Sequence, residues 1–230
     1  MNQVYSLSIS SRDDLIQFTK DYLNPSNCPD IEDNTTYATS VNTNGGFYVG
    51  RFEAGVITKR TSGNASSTAT DIQTSSGLPL SQKNKDSYTY ITRSQASGLA
   101  DNMYSGKSHL LTGATWDRTL GWLVNTSNKT LKQILVDSKE WGNYSDDIFS
   151  NTTGIAKTGE FNQTIANNIY YLAGNVWEWT STTSSINGYP CVIRGGNYYE
   201  SYSNYPAGLR GDRSVSDFYD DIGFRVALFL

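Results

Sequence analysis

Few side chains in this 230-residue sequence have the types and spacing that chemistry needs. His109 is the only histidine, and histidine alone titrates near neutrality when unperturbed. No acid or nucleophile stands close to it in sequence, and its place just ahead of a helix cap reads as packing or surface. Asp212 and Asp217 have the residue type of a carboxylate pair for glycoside hydrolysis, but spacing on a loop does not set the separation which that reaction requires. Asp217, Asp220 and Asp221 offer oxygens to a hard cation, yet an acidic loop is ordinarily just solvated. Cys28 and Cys191 are the only cysteines, too few for a disulfide framework, and free thiols are the expectation. The chain is therefore expected to bind rather than to catalyse, with no metal and no cofactor.

The composition of residues 197–221 says what kind of binding. Fifteen of these twenty-five residues are Tyr, Ser, Asn or Asp, and five are tyrosines: Tyr198, Tyr199, Tyr202, Tyr205 and Tyr219. A loop selected only for solubility favours Lys, Glu and Gly, because exposed tyrosine leaves apolar area in water. Antibody-like paratopes share the bias, since Tyr gives a large amphipathic contact with two torsions to fix while Ser and Asn adapt their hydrogen bonds. The expected ligand surface comprises Tyr198, Tyr199, Ser201, Tyr202, Asn204, Tyr205, Leu209, Asp212, Asp217, Tyr219 and Asp220, as one contiguous exposed patch.

Three short stretches must position that segment. Gly174-Asn175-Val176-Trp177-Glu178-Trp179 reads as a glycine turn into a strand, with both tryptophans on one face and Glu178 on the other. Arg194-Gly195-Gly196 puts two permissive residues at the end of a strand, where a sharp bend is needed. Residues 223–230, G-F-R-V-A-L-F-L, read as a closing apolar strand, central and well covered. Strand alternation makes Trp177, Trp179, Phe224 and Arg225 architecture rather than a ligand platform. Arg194 and Arg225 are expected to be structural, and Arg213 is left open between structure and ligand contact.

In this order and spacing, G-N-V-W-E-W, R-G-G and G-F-R resemble the formylglycine-generating-enzyme (sulfatase-modifying-factor) subclass of the C-type lectin fold. His109 to Asp117, H-L-L-T-G-A-T-W-D, resembles that family's helix-opening R-L-P-T-E-A-E-W-E, and Glu53 falls where its core sheet carries a glutamate. The resemblance covers about residues 45–230 and implies an α+β fold, a twisted antiparallel sheet with flanking helices and long loops. At this length the chain holds one sizeable core and is read as one domain over residues 1–230: an N-terminal strand and helix portion (1–44), a core (45–230), and within it the ligand-binding segment 197–221. Members that oxidise a sulfatase cysteine use a cysteine pair between R-G-G and G-F-R, and no cysteine occurs here from Val192 to Leu230. The related iron-dependent sulfoxide synthases need several histidines, against one here. The family often builds a calcium site from Glu178's motif and an Asn or Asp three residues before its first Gly. Tyr171 stands at that position, which removes a hard oxygen donor.

The tyrosine-rich segment also resembles the variable region of diversity-generating-retroelement proteins. That resemblance implies a variable binding protein displayed on a phage virion or bacterial cell surface against a protein or glycan ligand. The alternatives are a divergent family enzyme and a fixed phage tail or surface adhesin.

Upstream, residues 4–9 alternate as a first strand, and Ser11 caps a helix that Asn24-Pro25 stops. Phe47 to Gly55 reads as a buried strand, and residues 58–87, without apolar period, as a long surface excursion. Thr92 and Thr112 are expected N-caps, the second helix burying Trp116, Leu120, Leu123 and Val124 along one face. Residues 141–168 read as loops. With 18 basic against 22 acidic residues and no basic cluster, a nucleic-acid partner is not expected. No apolar stretch is long enough to span a bilayer, and residues 1–10 lack a secretory pattern, so membrane insertion is not expected.

Overall fold

The structure, a computed structural model, describes residues 35–104, 106–146 and 154–229. The strand expected at residues 4–9, the helix expected from Ser11, and Cys28 lie outside the described residues.

Threonine starts most of the helices. After α1 (Thr35–Asn44) come α2 (Ala69–Ser76), α3 (Arg93–Met103), α4 (Gly113–Asn125) and α5 (Leu131–Leu135). Thr68, Thr92, Thr112 and Thr130 each accept a hydrogen bond from the amide three residues on, and the side chain there accepts from the threonine's own amide. Two otherwise orphaned donors are satisfied at each start, which fixes where the chain turns into helix. The caps at Thr92 and Thr112 match expectation, as does the face of α4 carrying Trp116, Leu120 and Leu123 into the core with Val124 packed beside them. The cap at Thr68 corrects it, and the cap at Thr130 opens a further helix in a stretch without an earlier expectation. Residues 58–87 are not simply a surface excursion: α2 buries Ile72, and β3 (Asp86–Ser87) pairs with β2 (Gly55–Val56).

The two main sheets are built from strands that share a junction at Arg225. In the first, β7 (Trp177–Thr183) pairs antiparallel with β8 (Cys191–Arg194), which pairs antiparallel with β9 (Arg210–Arg213). On the other side of β7 lies β10 (Ile222–Phe224), and this pair is parallel, the exception among the described ladders to the antiparallel pairing expected. In the second sheet, β11 (Val226–Leu228) sits between β1 (Tyr48–Val49) and β4 (Ser108–Leu110), antiparallel to both. The single closing strand expected over 223–230 is thus two strands in two sheets. The break falls at Arg225 because its side chain turns into the protein to meet Glu178. The strand expected over Phe47 to Gly55 is also broken: Tyr48 is exposed at a sheet edge, and only β1 and β2 pair. Two further short strands, β5 (Ile165–Ala166) at the end of the region expected to be loop and β6 (Ile169–Tyr170) just beyond it, form a hairpin.

Alternation along β7 sorts its side chains as expected. Trp177 and Trp179 join Ile193, Ile222, Phe224 and Leu99 in one core cluster, while Glu178 faces Arg225. A second cluster beneath α4 gathers Trp116, Leu120, Trp141, Leu172 and Phe229. Cys191 is a free thiol buried in the first cluster.

Between the sheets lies a buried polar chain. Arg225 is fully buried and donates to both carboxylate oxygens of Glu178 at 2.7–3.1 Å and to the carbonyls of Gly50 (2.8 Å) and Tyr170 (2.7 Å). Arg194 pairs likewise with Asp117 across α4 and β8, so both arginines are structural. Glu53 accepts from Asn175 (2.6 Å) and Ser87 (3.1 Å) on one oxygen. Burial, and then the Glu178 charge, push its carboxyl up to about 8. Protonation is therefore favoured in the folded state, so stability present below pH about 4.5 is lost as pH rises towards about 8. Glu53→Gln should flatten the urea stability profile across that window, removing a slope of up to about 1.4 kcal/mol per pH unit. An unchanged slope in the variant would show that Glu53 is ionised in the fold.

Candidate binding surface

The base of residues 197–221 is clamped shut. The Asn197 side-chain amide donates to Asp221 Oδ2 at 2.7 Å, joining the residue after Gly196 to the residue before β10. Main-chain bonds fasten both ends to the start of β7: Tyr198 N to Asn175 O (2.9 Å) and Trp177 N to Asp221 O (2.8 Å). Gly195 and Gly196, at φ +98° and +79°, make the bend that brings the chain there; a Cβ on Gly196 would collide with the carbonyl of Tyr205.

Above the clamp stand two tyrosines. Tyr198 and Tyr199 meet edge to face, centroids 5.1 Å apart, and the Tyr199 hydroxyl donates to Asp221 at 3.0 Å. Burial and the neighbouring aspartates hold both phenols above the usual tyrosine range. Burial also raises the Asp221 carboxyl, opposed by its hydrogen bonds from Asn197 and Tyr199 and by Arg213. Asp220 lies within 3.5 Å of the Tyr198 hydroxyl, and Tyr219 is half exposed, its carbonyl bound by the Tyr90 amide.

The rest of the segment is less uniform than one open patch. Its middle dives inward: Trp116 Nε1 donates to Ala207 O (3.1 Å), Ala207 N to Ser138 Oγ (3.0 Å) and Gly208 N to Ile134 O (2.9 Å). Tyr205 packs edge to face on Trp177, centroids 5.9 Å apart, and Leu209 packs on the same core cluster. Tyr202 packs against the second cluster, with Lys139 over its ring. The expectation that Tyr202 and Tyr205 are plain surface residues is therefore corrected: these rings seat the loop on the scaffold. Ser201 and the exposed Asn204 form the outer turn. Asp212 lies on β9 at 3.9 Å from Arg210, and Asp217 accepts from the Ser214 amide at 3.0 Å, holding a local turn. Tyr198, Tyr199 and Asp220 are thus brought together, with Tyr219 adjoining Asp220 in the chain. Asn197 and Asp221, which hold them, were not among the expected site residues.

Beside this group opens a cleft of about 330 Å³, lined by Tyr198 and Asp220 from the segment and by Lys59, Arg60, Thr61 and Tyr90 from elsewhere in the chain. No sequence signal ties residues so far apart in the chain. At Glu178, both carboxylate oxygens are taken by Arg225, while the Tyr171 hydroxyl accepts from the Phe161 amide at 3.0 Å. Among the described residues, no three His, Cys, Asp or Glu side chains are grouped to hold a metal, and no helix is long and apolar enough to cross a membrane.

Comparison with known proteins places this architecture. Residues 137–229 match the family described as Sulfatase-modifying factor enzyme 1-like domain, a stretch that includes β7, β8, β10 and β11. PvdO from Pseudomonas aeruginosa superposes with a TM-score of 0.52 at 18% identity, covering 80% of each chain. Treponema denticola variable protein 1 is similar at 22% identity and TM-score 0.39, over 54% of this chain and 48% of its own. The Major Tropism Determinant P3c variant is similar at 14% identity and TM-score 0.48, over 80% of this chain and 50% of its own. The chain thus spans about half the length of these last two proteins. No curated protein sequence matches. The fold is an α+β C-type lectin fold, and within it residues 137–229 are similar to the sulfatase-modifying-factor family.

Proposed function

We propose that this protein is a non-catalytic binding protein whose residues 197–221 carry the ligand surface, in the manner of a diversity-generating-retroelement variable protein. The observation that supports this most is the Asn197–Asp221 clamp, which closes the base of the segment through residues distinct from its exposed tyrosines. The tryptophans and the buried ion pair that anchor the platform, Trp177, Trp179, Glu178 and Arg225, all lie outside the segment. Its outer residues can therefore change without altering the platform that presents them. The site of action is the surface of a phage virion or bacterial cell, and the ligand a protein or glycan there. Tyr198, Tyr199, Tyr219 and Asp220 make the primary contacts, with Ser201 and Asn204 at the outer turn. Truncating Tyr199 or Tyr219 should cost about 1–4 kcal/mol of affinity, as for aromatic anchors elsewhere.

An enzymatic reading draws on the family match at residues 137–229. Oxidation of a sulfatase cysteine in that family needs paired thiolates, whereas Cys191 is buried, its thiol pushed up by that burial, and no cysteine follows it. Incubated with copper and a cysteine-containing sulfatase peptide, the protein should leave the peptide mass unchanged. Formylglycine in the mass spectrum would overturn the non-catalytic reading.

A further inference from the structure

The cleft beside Tyr198 carries a charge imbalance that the segment itself does not explain. Two of its lining residues, Lys59 and Arg60, are cationic, against one carboxylate, Asp220, in a chain whose net charge is −4. Arg60 is held rigidly: its guanidinium donates to the carbonyls of Thr89 (3.0 Å), Tyr90 (3.2 Å) and Ser62 (3.4 Å) and to Ser76 Oγ (2.7 Å), over the face of Tyr88. Those acceptors are three carbonyls and a hydroxyl, so none of them neutralises the charge. Lys59 is exposed and forms no ion pair with any described residue. A fixed, half-buried cation beside a free, exposed one favours an entering anion. The volume lies at the lower end of the range for small-ligand pockets, enough for one side chain rather than a large cofactor.

We propose that this cleft is a fixed subsite of the binding surface that takes an acidic side chain of a protein partner, its carboxylate meeting Lys59 in the field of Arg60 while Asp220 accepts a neighbouring N–H. The assignment rests on the binding reading above and deepens it. Lys59 and Arg60 lie outside residues 197–221, so the demand for an anion persists when the segment changes, whereas Tyr198 and Asp220 retune the cleft's other wall. A protein source fits better than a sugar acid because the adjoining surface is tyrosine-rich in the way of protein-binding paratopes, and because a peptide brings amide donors beside its carboxylate for Asp220.

The test is a titration of the full chain with glutamate blocked at both ends (acetyl and methylamide), followed by amide chemical shifts in NMR. Blocked glutamine and glucuronate serve as comparisons. The expected result is saturable shifts at Lys59, Arg60, Thr61, Tyr90, Tyr198 and Asp220 with blocked glutamate, absent with blocked glutamine. Lys59→Gln, at an exposed position, should weaken them about tenfold. Equal shifts from glutamine, unchanged binding in Lys59→Gln, or shifts elsewhere would overturn the anion subsite. Stronger binding of glucuronate would overturn its assignment to a protein side chain. A failure here with partner choice still following residues 197–221 would remove the subsite alone; failure of both would remove the binding reading with it.

Discussion

Arg225→Met should destabilise the protein by about 3–5 kcal/mol, the cost of leaving a buried ion without its partner. The substitution keeps most of the volume but removes every donor that satisfies Glu178, and it strands the carbonyls of Gly50 and Tyr170. Glu178 would then lie fully buried near Glu53, whose own carboxyl its charge already pushes up. Against a total stability of about 5–15 kcal/mol for a domain, that loss is a large fraction. Urea unfolding measures it, and Glu178→Gln added to Arg225→Met should recover part of the loss because the stranded charge is gone. A single substitution costing under about 1 kcal/mol would mean that the arginine does not join the two sheets.

Trp177→Ala should cost about 3–5 kcal/mol for a different reason, a cavity in the first core cluster. The ring is 2% exposed, and its Nε1 has no hydrogen-bond partner among the described residues, so the loss is one of packing. Tyr205→Ala removes the ring that meets Trp177 edge to face and should cost about 1–2 kcal/mol, between the tryptophan and a surface site. Tyr219→Ala, at a half-exposed ring, should stay within about 0.5 kcal/mol. If Tyr219 proved as costly as Trp177, the outer face of the segment would be core and the division between platform and surface would fail.

The platform was legible in the sequence where the signal is local. Two tryptophans flanking Glu178 after a glycine turn have one sensible arrangement, and the threonine boxes at Thr92 and Thr112 start helices where they stand. Thr68 with Asp71 and Thr130 with Gln133 carry the same signal, but polar surroundings masked it: a helix with one buried residue shows little apolar period. The break at Arg225 was hidden for the opposite reason. An apolar run reads as one strand, and only the long-range meeting with Glu178 shows why the chain changes sheets there. The same limit applies to the surface. Composition pointed to residues 197–221, but which tyrosines face outward depends on Trp177 and Trp116 beneath them, and the cleft depends on Lys59 and Arg60 arriving from far upstream.

The most direct test of the account moves residues 197–221 of this chain onto a second protein with the same scaffold and measures binding to the partner of each parent. The clamped base predicts that the recipient folds, since Asn197 and Asp221 travel with the segment, and that it gains the partner of this chain and loses its own. A recipient that folds yet keeps its original partner, or a partner choice that follows residues 62–87 instead, would contradict the assignment of the binding surface.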